Sequence, residues 1–387
     1  MNLHAKTNVK VLFALTLVHF TGDFYSSFTS PLFPLFVQKM GLSLTQVGTI
    51  AGFNRLLAFI VQPAVGYLAD RYQTRAFILV GLLLPVVFIP LSGIALGFWT
   101  LLLVVSIGSF GSSMFHPSVT GMVPVYAGSK AGLSMSVFNT GGTLAFALGP
   151  LFITWYAARF GLSAVPATML LGLAVVGCLY LTVPAPVSEG LRHLGFWGSV
   201  KESLGGAWKA IALIWSAMVI RAVVGQAFLT FIPVLYVEKG FTIVSAGVIF
   251  SLFTVAGTFS GLLAGHVSDR IGAKPVFLFC HILMAPMLWL FLQLEGGWVY
   301  PGALLAGGAV LSTLPLGVVL AQSLAPRGRS MVASLMMGFA FGLGGIFSPV
   351  VGKFADLYSV EAVLTVMSAV PLLTVPIICF FPRASKA

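Results

Sequence analysis

Charge is what this sequence has least of. Only 7% of its 387 residues are Asp, Glu, Lys or Arg, and nine are acidic, where a soluble domain carries roughly a quarter charged. A water-facing surface cannot be built from so few, which argues against a soluble enzyme and against a nucleic-acid-binding module. Cysteine is scarcer still. Cys178, Cys280 and Cys379 lie far apart inside apolar runs, with neither disulfide-framework nor metal-ligand spacing, and read as small hydrophobes. The sequence shows no metal-spaced His/Cys/Glu group, nucleophile elbow or phosphate loop. It therefore predicts no metal, no cofactor and no catalytic residues.

What the chain has in abundance is apolar length: 58% of it is hydrophobic. At about 20 residues per membrane span, there is room for twelve spans and short loops, and none for a sizeable soluble domain. Apolar runs bounded by charges or Gly/Pro clusters place helices near 11–38, 44–68, 76–96, 98–121, 131–158 and 163–184. A second six fall near 208–237, 243–264, 275–294, 298–321, 330–353 and 361–381. The most polar stretch, with Glu189, Arg192, His193, Lys201 and Glu202, lies between the sets. The expected organisation is a bundle over 1–184, a linker over 185–207 and a second bundle over 208–387. Lys6 and Lys10 precede an apolar stretch in the manner of a secretion signal, but no small-residue cleavage site follows, so the segment reads as an integral helix.

The net charge of +11 follows from loop topology. An inside N-terminus puts fourteen of the twenty Lys and Arg residues in the cytoplasm, four outside (Lys39, Arg159, Lys239 and Lys353) and two within the membrane. By the positive-inside rule both termini are cytoplasmic.

The two sets of six are related. An offset of 199 takes Pro34 to Pro233, Gly41 to Gly240, Gly48 to Gly247, Gly66 to Gly265, Asp70 to Asp269, Arg71 to Arg270, Lys130 to Arg329 and Pro150 to Pro349 without a gap. A doubled Gly-x-x-x-Asp-Arg at one offset marks a duplication. The fold class is an all-α membrane protein, twelve transmembrane helices in two pseudo-symmetric six-helix bundles.

Ionisable groups at membrane depth carry the functional signal. Asp23 lies 13 residues beyond Lys10, about 20 Å along a helix; Arg55 and Arg221 reach similar depth. Each charge costs roughly 2.5 to 3.5 kcal/mol at a helix centre, so all three must be paired or line a wet cavity. The repeat offset sets Asp23 one residue from the equivalent of Arg221, and the two are expected to face one another. Asp23 reads as a proton-coupling carboxylate, against a permanent structural ion pair. Arg55 and Arg221 read as anion binders, because a guanidinium offers a planar fork to carboxylate or phosphonate oxygens. His116, before the kinking Pro117, can titrate or donate to solute, or be a satisfied buried imidazole. His19 shares a helix face with Asp23. Asn54, Asn139, Gln226 and Gln62 can add hydrogen bonds to solute or between helices. Lys353, Asp356, Glu361 and Glu295 read as solvated charges at helix ends.

The segments Gly66–Arg75 and Gly265–Lys274 resemble the loop signature of the major facilitator superfamily. In this reading Gly66 and Gly265 allow close helix approach, while Asp70, Arg71, Arg75, Asp269 and Arg270 form a cytoplasmic gate without touching solute. Gly141-Gly142 with Gly149-Pro150 is similar to the fifth-helix signature of antiporters in that superfamily, with Ala145 where a glycine is usual. The run His19-Phe20-Thr21-Gly22-Asp23, then Gln62-Pro63, Phe115-His116-Pro117 and Ser136–Gly142, resembles the fosmidomycin-resistance branch. The resemblance implies the major facilitator fold, with helices 1, 4, 7 and 10 lining the cavity. It also implies proton-driven export of a drug-like or phosphonate compound from a bacterial cytoplasm, hence an inner-membrane location. Proton-coupled uptake of a small organic anion stays open, since protonating Asp23 beside arginines favours anion binding. An embedded enzyme or receptor lacks the constellation it would need. The expected partners are a small solute, protons and lipids, with no nucleic acid, and the expected state is a monomer.

Overall fold

The computed structural model describes residues 7–72, 74–128, 131–185, 204–324, 332, 336 and 340–382. Among them the chain is helical with no strand. Helices α1 (Val9–Ser26), α2 (Thr29–Met40), α3 (Leu44–Tyr72), α4 (Ala76–Leu91), α5 (Phe98–Ala127), α6 (Ala131–Phe160) and α7 (Met169–Thr182) are followed by α8 (Trp208–Glu238), α9 (Ile243–Ile271), α10 (Ala273–Gln293), α11 (Val299–Leu311), α12 (Thr313–Leu324), α13 (Ala340–Ile346), α14 (Ser348–Leu357), α15 (Val360–Ala369) and α16 (Thr374–Cys379). The polar stretch 186–203, with Lys130, Arg327, Arg329, Arg383 and Lys386, lies outside the described residues.

Ten helical stretches among the described residues are long and apolar enough to cross a membrane. Large apolar side chains lie on their outer faces, with Leu181 83%, Leu170 72% and Leu262 71% exposed. That surface suits hydrocarbon and not water. Four expected spans are each split in two, at Ser27–Phe28, at Ser312, at Phe347 and, by a 3-10 turn, at Val370–Leu373. A proline has no N–H to donate and its ring clashes with the carbonyl four residues back. Pro31, Pro315 and Pro349 count back to Ser27, Leu311 and Gly345, each within two residues of a break. At the first break the Ser27 hydroxyl donates to the Phe24 carbonyl at 2.7 Å.

Helices α3 and α9 run past the expected ends at 68 and 264. The apolar window ends before the helix does, so the Gly-x-x-x-Asp-Arg motifs ride on final helical turns and not on loops. After α9 the chain turns at Gly272, whose φ of 90° suits glycine.

The chain divides into two compact units. The first comprises 1–42 and 57–192, and the second 43–56 and 193–387. In the first, α4 packs along α5 and α1 along α6; in the second, α9 packs along α11 and α8 along α13. The start of α3 belongs to the second unit because it meets α13 and α14 at backbone distance. A Cβ on Gly48 would lie 2.2 Å from the Ser348 carbonyl oxygen, and one on Gly52 2.5 Å from that of Gly345. Asp356 locks this contact by accepting from Leu44 N (2.6 Å), Thr45 N (2.8 Å) and Thr45 Oγ1 (2.6 Å). Asp356 is thus no idle solvated charge but an N-terminal cap supplied by another helix. Partial burial opposes its ionisation, but the hydrogen bonds from Thr45 and Leu44 outweigh this and hold the carboxyl below its ordinary value. Glu361 is also engaged, accepting from Lys239 Nζ at 2.8 Å.

The duplication is visible in the braces that close each unit. Arg75 Nη1 donates to the carbonyls of Tyr180 and Val183, at 3.2 and 3.3 Å, and its guanidinium lies 5.4 Å from the Tyr180 ring centre. Lys274, its repeat partner, donates to Cys379 and Phe381. At the other end Lys39 donates to the Gly93 carbonyl at 3.0 Å and Lys239 to that of Leu292 at 2.7 Å. Each cation satisfies the orphan carbonyls of a helix end, where the helix dipole is negative.

Among the described residues, a Cβ on Gly265 would meet nothing within 4 Å. By contrast, a Cβ on Gly307 would lie 2.0 Å from the Phe253 carbonyl oxygen, where backbone faces backbone. Gly307→Ala is therefore expected to destabilise by about 1–3 kcal/mol. Gly265→Ala should be neutral or stabilising by up to about 1 kcal/mol from helix propensity. Thermal unfolding of the purified protein in detergent checks this; equal midpoints for the two variants would refute the packing argument.

Candidate functional site

Within the first unit, α1 presents His19 and Asp23 one helical turn apart, and α5 presents His116 toward them. Asp23 Oδ2 lies 3.2 Å from His19 Nε2, and Oδ1 lies 3.0 Å from His116 Nε2. Asp23 is 5% exposed and His19 9%, while the His116 side chain is 27% exposed. Each imidazole is fixed at its far nitrogen by a backbone carbonyl. His19 Nδ1 faces Phe138 O at 3.0 Å, and His116 Nδ1 faces Ser112 O at 2.7 Å, one turn back on its own helix. Each ring also stacks on a phenyl ring at 4.2 Å, His19 on Phe138 and His116 on Phe115.

The sequence expects an arginine opposite Asp23, and the structure supplies two histidines as its described partners. The four-residue spacing made the His19 contact legible. The arrival of His116 from α5 was not, because no periodicity relates residues 93 positions apart. Gly142 on α6 makes room for the cluster: a Cβ there would lie 2.6 Å from the His19 ring and 2.8 Å from Asp23 Oδ2. In the sequence this glycine stands out only as part of the antiporter-like signature. Gly141 beside it faces Thr16.

The three groups bring nitrogen and oxygen atoms within 4.8 Å of one another, the sole set of metal-ligand type among the described residues. The 3.2 and 3.0 Å separations of the two nitrogen–oxygen pairs are hydrogen-bond distances.

The other expected solute-binding residues are not among the described partners of this cluster. In the second unit Arg55 Nε donates to Gln226 Oε1 at 2.9 Å, and Gln226 Nε2 to Thr230 Oγ1 at 3.1 Å. Arg55 is half-buried and Gln226 buried. Arg221 is 1% exposed and donates from Nη1 to Val310 O at 3.0 Å. Asn54 Oδ1 is buried without a hydrogen-bonding partner among the described residues. On α6 of the first unit, Asn139 is exposed. Of the gating residues, Asp269 and Arg270 are exposed at the end of α9, and Arg75 braces α7 within its own unit. Gly66, Asp70 and Arg71 lie in the last turns of α3, with side chains outside the described residues.

A helical chain with apolar outer faces, duplicated halves and a buried ionisable cluster defines a multi-pass membrane transporter, not an enzyme. The family model described as Major Facilitator Superfamily matches residues 15–349 and 214–386, and the chain belongs to that family. The twelve-helix organisation is that of its fold. The chain is 26% identical over 378 residues to the fosmidomycin resistance protein of Escherichia coli K12, covering 95% of this chain and 92% of that one. It is 26% identical to the Bacillus subtilis transporter YfnC, over 94% and 90% of the two chains. It is 25% identical to the Escherichia coli multidrug resistance protein MdtG, over 89% and 88%. Among solved structures, the fold matches a bacterial homologue of the lysosomal transporter Spinster in its inward-facing, occupied form, with a TM-score of 0.83 at 14% identity over 99% of this chain and all of that one.

Because Gly142 is the wall of the cluster, Gly142→Ala is expected to separate His19 from Asp23, to destabilise the protein by about 1–3 kcal/mol and to abolish transport. Gly177→Ala, with no described atom within 4 Å of the added Cβ, should leave both unchanged. Thermal unfolding and transport by the two variants check this, and a fully active Gly142→Ala would show that the cluster tolerates the intrusion.

Proposed function

We propose that this chain is a proton-coupled exporter of a small drug-like or anionic compound, a phosphonate or carboxylate, working as a monomer in the inner membrane with both termini cytoplasmic. Asp23 carries this reading: a carboxylate buried at mid-span within hydrogen-bonding distance of two imidazoles. A charge costs several kcal/mol at that depth, and side chains that exchange protons near neutral pH can add or remove it. Two relatives named for drug resistance support the direction and the substrate class.

Proton binding and solute binding fall on separate groups. The described partners of Asp23 are histidines, so protonating the cluster need not take an ionic partner away from Arg55 or Arg221. Those guanidinium groups, with Gln226 and Asn54, offer forked and single donors suited to an anion. The cationic set also favours the second reading, uptake of an organic anion with a proton. Asp70, Arg71, Arg75, Asp269 and Arg270 are assigned to cytoplasmic gating, with alternating access moving the solute between the two sides.

Transport of fosmidomycin by the purified protein in liposomes under an imposed pH gradient tests the proposal. Asp23→Asn is expected to lose gradient-driven accumulation while exchange of pre-loaded drug survives. Accumulation equal to wild type would remove Asp23 from coupling, and the sign of the gradient that drives movement decides between export and uptake.

A charge-assisted hydrogen bond contributes about 1.5–3 kcal/mol. Arg55→Ala and Arg221→Ala should therefore each weaken fosmidomycin binding by roughly 10- to 100-fold. Unchanged affinity in both variants, measured by calorimetry, would reject an arginine-based site.

A further inference from the structure

We infer that His19, Asp23 and His116 bind two exchangeable protons as one unit, the coupling charge being carried by the two imidazoles together with the carboxylate. This rests on the proton-coupled reading above and extends it to the number and location of the protons.

The inference follows from donors and acceptors. Four contacts hold the cluster: His19 Nδ1 to Phe138 O, His116 Nδ1 to Ser112 O, and one Nε2 from each ring to an oxygen of Asp23. A backbone carbonyl only accepts, and an ionised carboxylate only accepts, so each contact needs a proton of its own. Two neutral imidazoles bring two; the other two are the exchangeable ones. With them the rings are imidazolium ions flanking a carboxylate, and the cluster carries a net single positive charge. Without them it carries a net negative charge, and two of its four contacts lose their hydrogen.

One competing arrangement leaves His116 neutral with its proton on Nε2, its Nδ1 accepting from the Ser112 hydroxyl. That hydroxyl lies 3.5 Å away, at the limit of a hydrogen bond, while the Ser112 carbonyl presses on the same nitrogen at 2.7 Å. Two lone pairs at that distance repel, and a proton on Nδ1 removes the conflict. The His19 and His116 ring centres are 5.2 Å apart and nearly perpendicular. Two attractions to the carboxylate at 3.0 and 3.2 Å outweigh one repulsion across that gap. The phenyl faces of Phe138 and Phe115 add cation–π stabilisation to each charged ring.

The helices packed on α1 carry few other ionisable side chains. Besides His19 and Asp23, α1 itself has Lys10 near its start and Tyr25, which donates to Thr168 O. Helix α4 has no ionisable side chain. Helix α5 has only His116 and Tyr126, α6 only Tyr156 and Arg159 near its far end, and α7 only Cys178 and Tyr180.

Solid-state nitrogen NMR of the full-length protein in liposomes, with histidine isotopically labelled, reads the protons directly. The chain has six histidines, and His19→Gln and His116→Gln assign the two signals. At neutral pH both rings are expected to show two N–H nitrogens each. In Asp23→Asn one acceptor is replaced by an amide donor, so one ring is expected to drop to a single N–H. A singly protonated His19 or His116 in the wild type overturns the inference even if the variant fails to fold, as does an Asp23→Asn spectrum identical to wild type. Doubly protonated rings in a protein whose fosmidomycin transport ignores the pH gradient would uphold the proton inventory and sink the coupling reading instead.

Discussion

A carboxylate placed in the middle of an apolar helix bundle must be neutralised, and everything around Asp23 follows from that requirement. Its two oxygens are matched one to one by imidazole nitrogens from α1 and α5. The imidazoles are held from behind by the carbonyls of Phe138 and Ser112. One of those carbonyls comes from α6, so three helices are fastened to one charged centre. Gly142 admits the group because its missing Cβ is the space that the His19 ring and Asp23 occupy. Polar contacts of this kind hold helices together where lipid removes the hydrophobic driving force.

Neutralisation by histidine differs in kind from neutralisation by arginine. A guanidinium is charged at every physiological pH, so an Asp–Arg pair stays an ion pair and can only break. An imidazole, unlike a guanidinium, can lose its charge by giving up a proton, so an Asp–His cluster can change its own net charge without moving. In the second unit the buried cations are arginines, Arg221 on the Val310 carbonyl and Arg55 on Gln226. They are fixed positive charges, suited to holding an anion and unsuited to handling protons. On the proposed reading, the chain separates a switchable charge from a fixed one.

The fold was legible because lipid imposes simple rules. Apolar length gave the spans, and one doubled motif gave the duplication. The breaks at Ser27–Phe28, Ser312 and Phe347 were less legible, since Pro34, Pro117 and Pro233 lie inside helices with no break and nothing local separates the two kinds of proline. Within the site, buried ionisable residues stood out singly because each is costly, yet their pairing did not. Equal depth on symmetry-related helices suggested Asp23 with Arg221, but depth fixes one coordinate only; the direction in which a side chain leaves its helix fixes the rest. Asp356 was misread for a similar reason. It sits at a helix end where solvation is the default, and its partners are backbone N–H groups, which no side-chain pattern announces.

The duplication also shows which features belong to the scaffold and which to the site. Arg75 and Lys274, and Lys39 and Lys239, perform the same task in the two units, each satisfying the free carbonyls at a helix end. Those carbonyls exist wherever a helix stops, so both copies must keep the brace. The charged cluster obeys no such rule. The repeat equivalents of His19 and Asp23 are Met218 and Ala222, both apolar and buried in the second unit, while the equivalent of Gly22 is Arg221. The cluster fastens three helices in one half and has no counterpart in the other, so the duplicated scaffold does not require it; on the proposed reading, carrying an exchangeable charge is a task that one copy can perform.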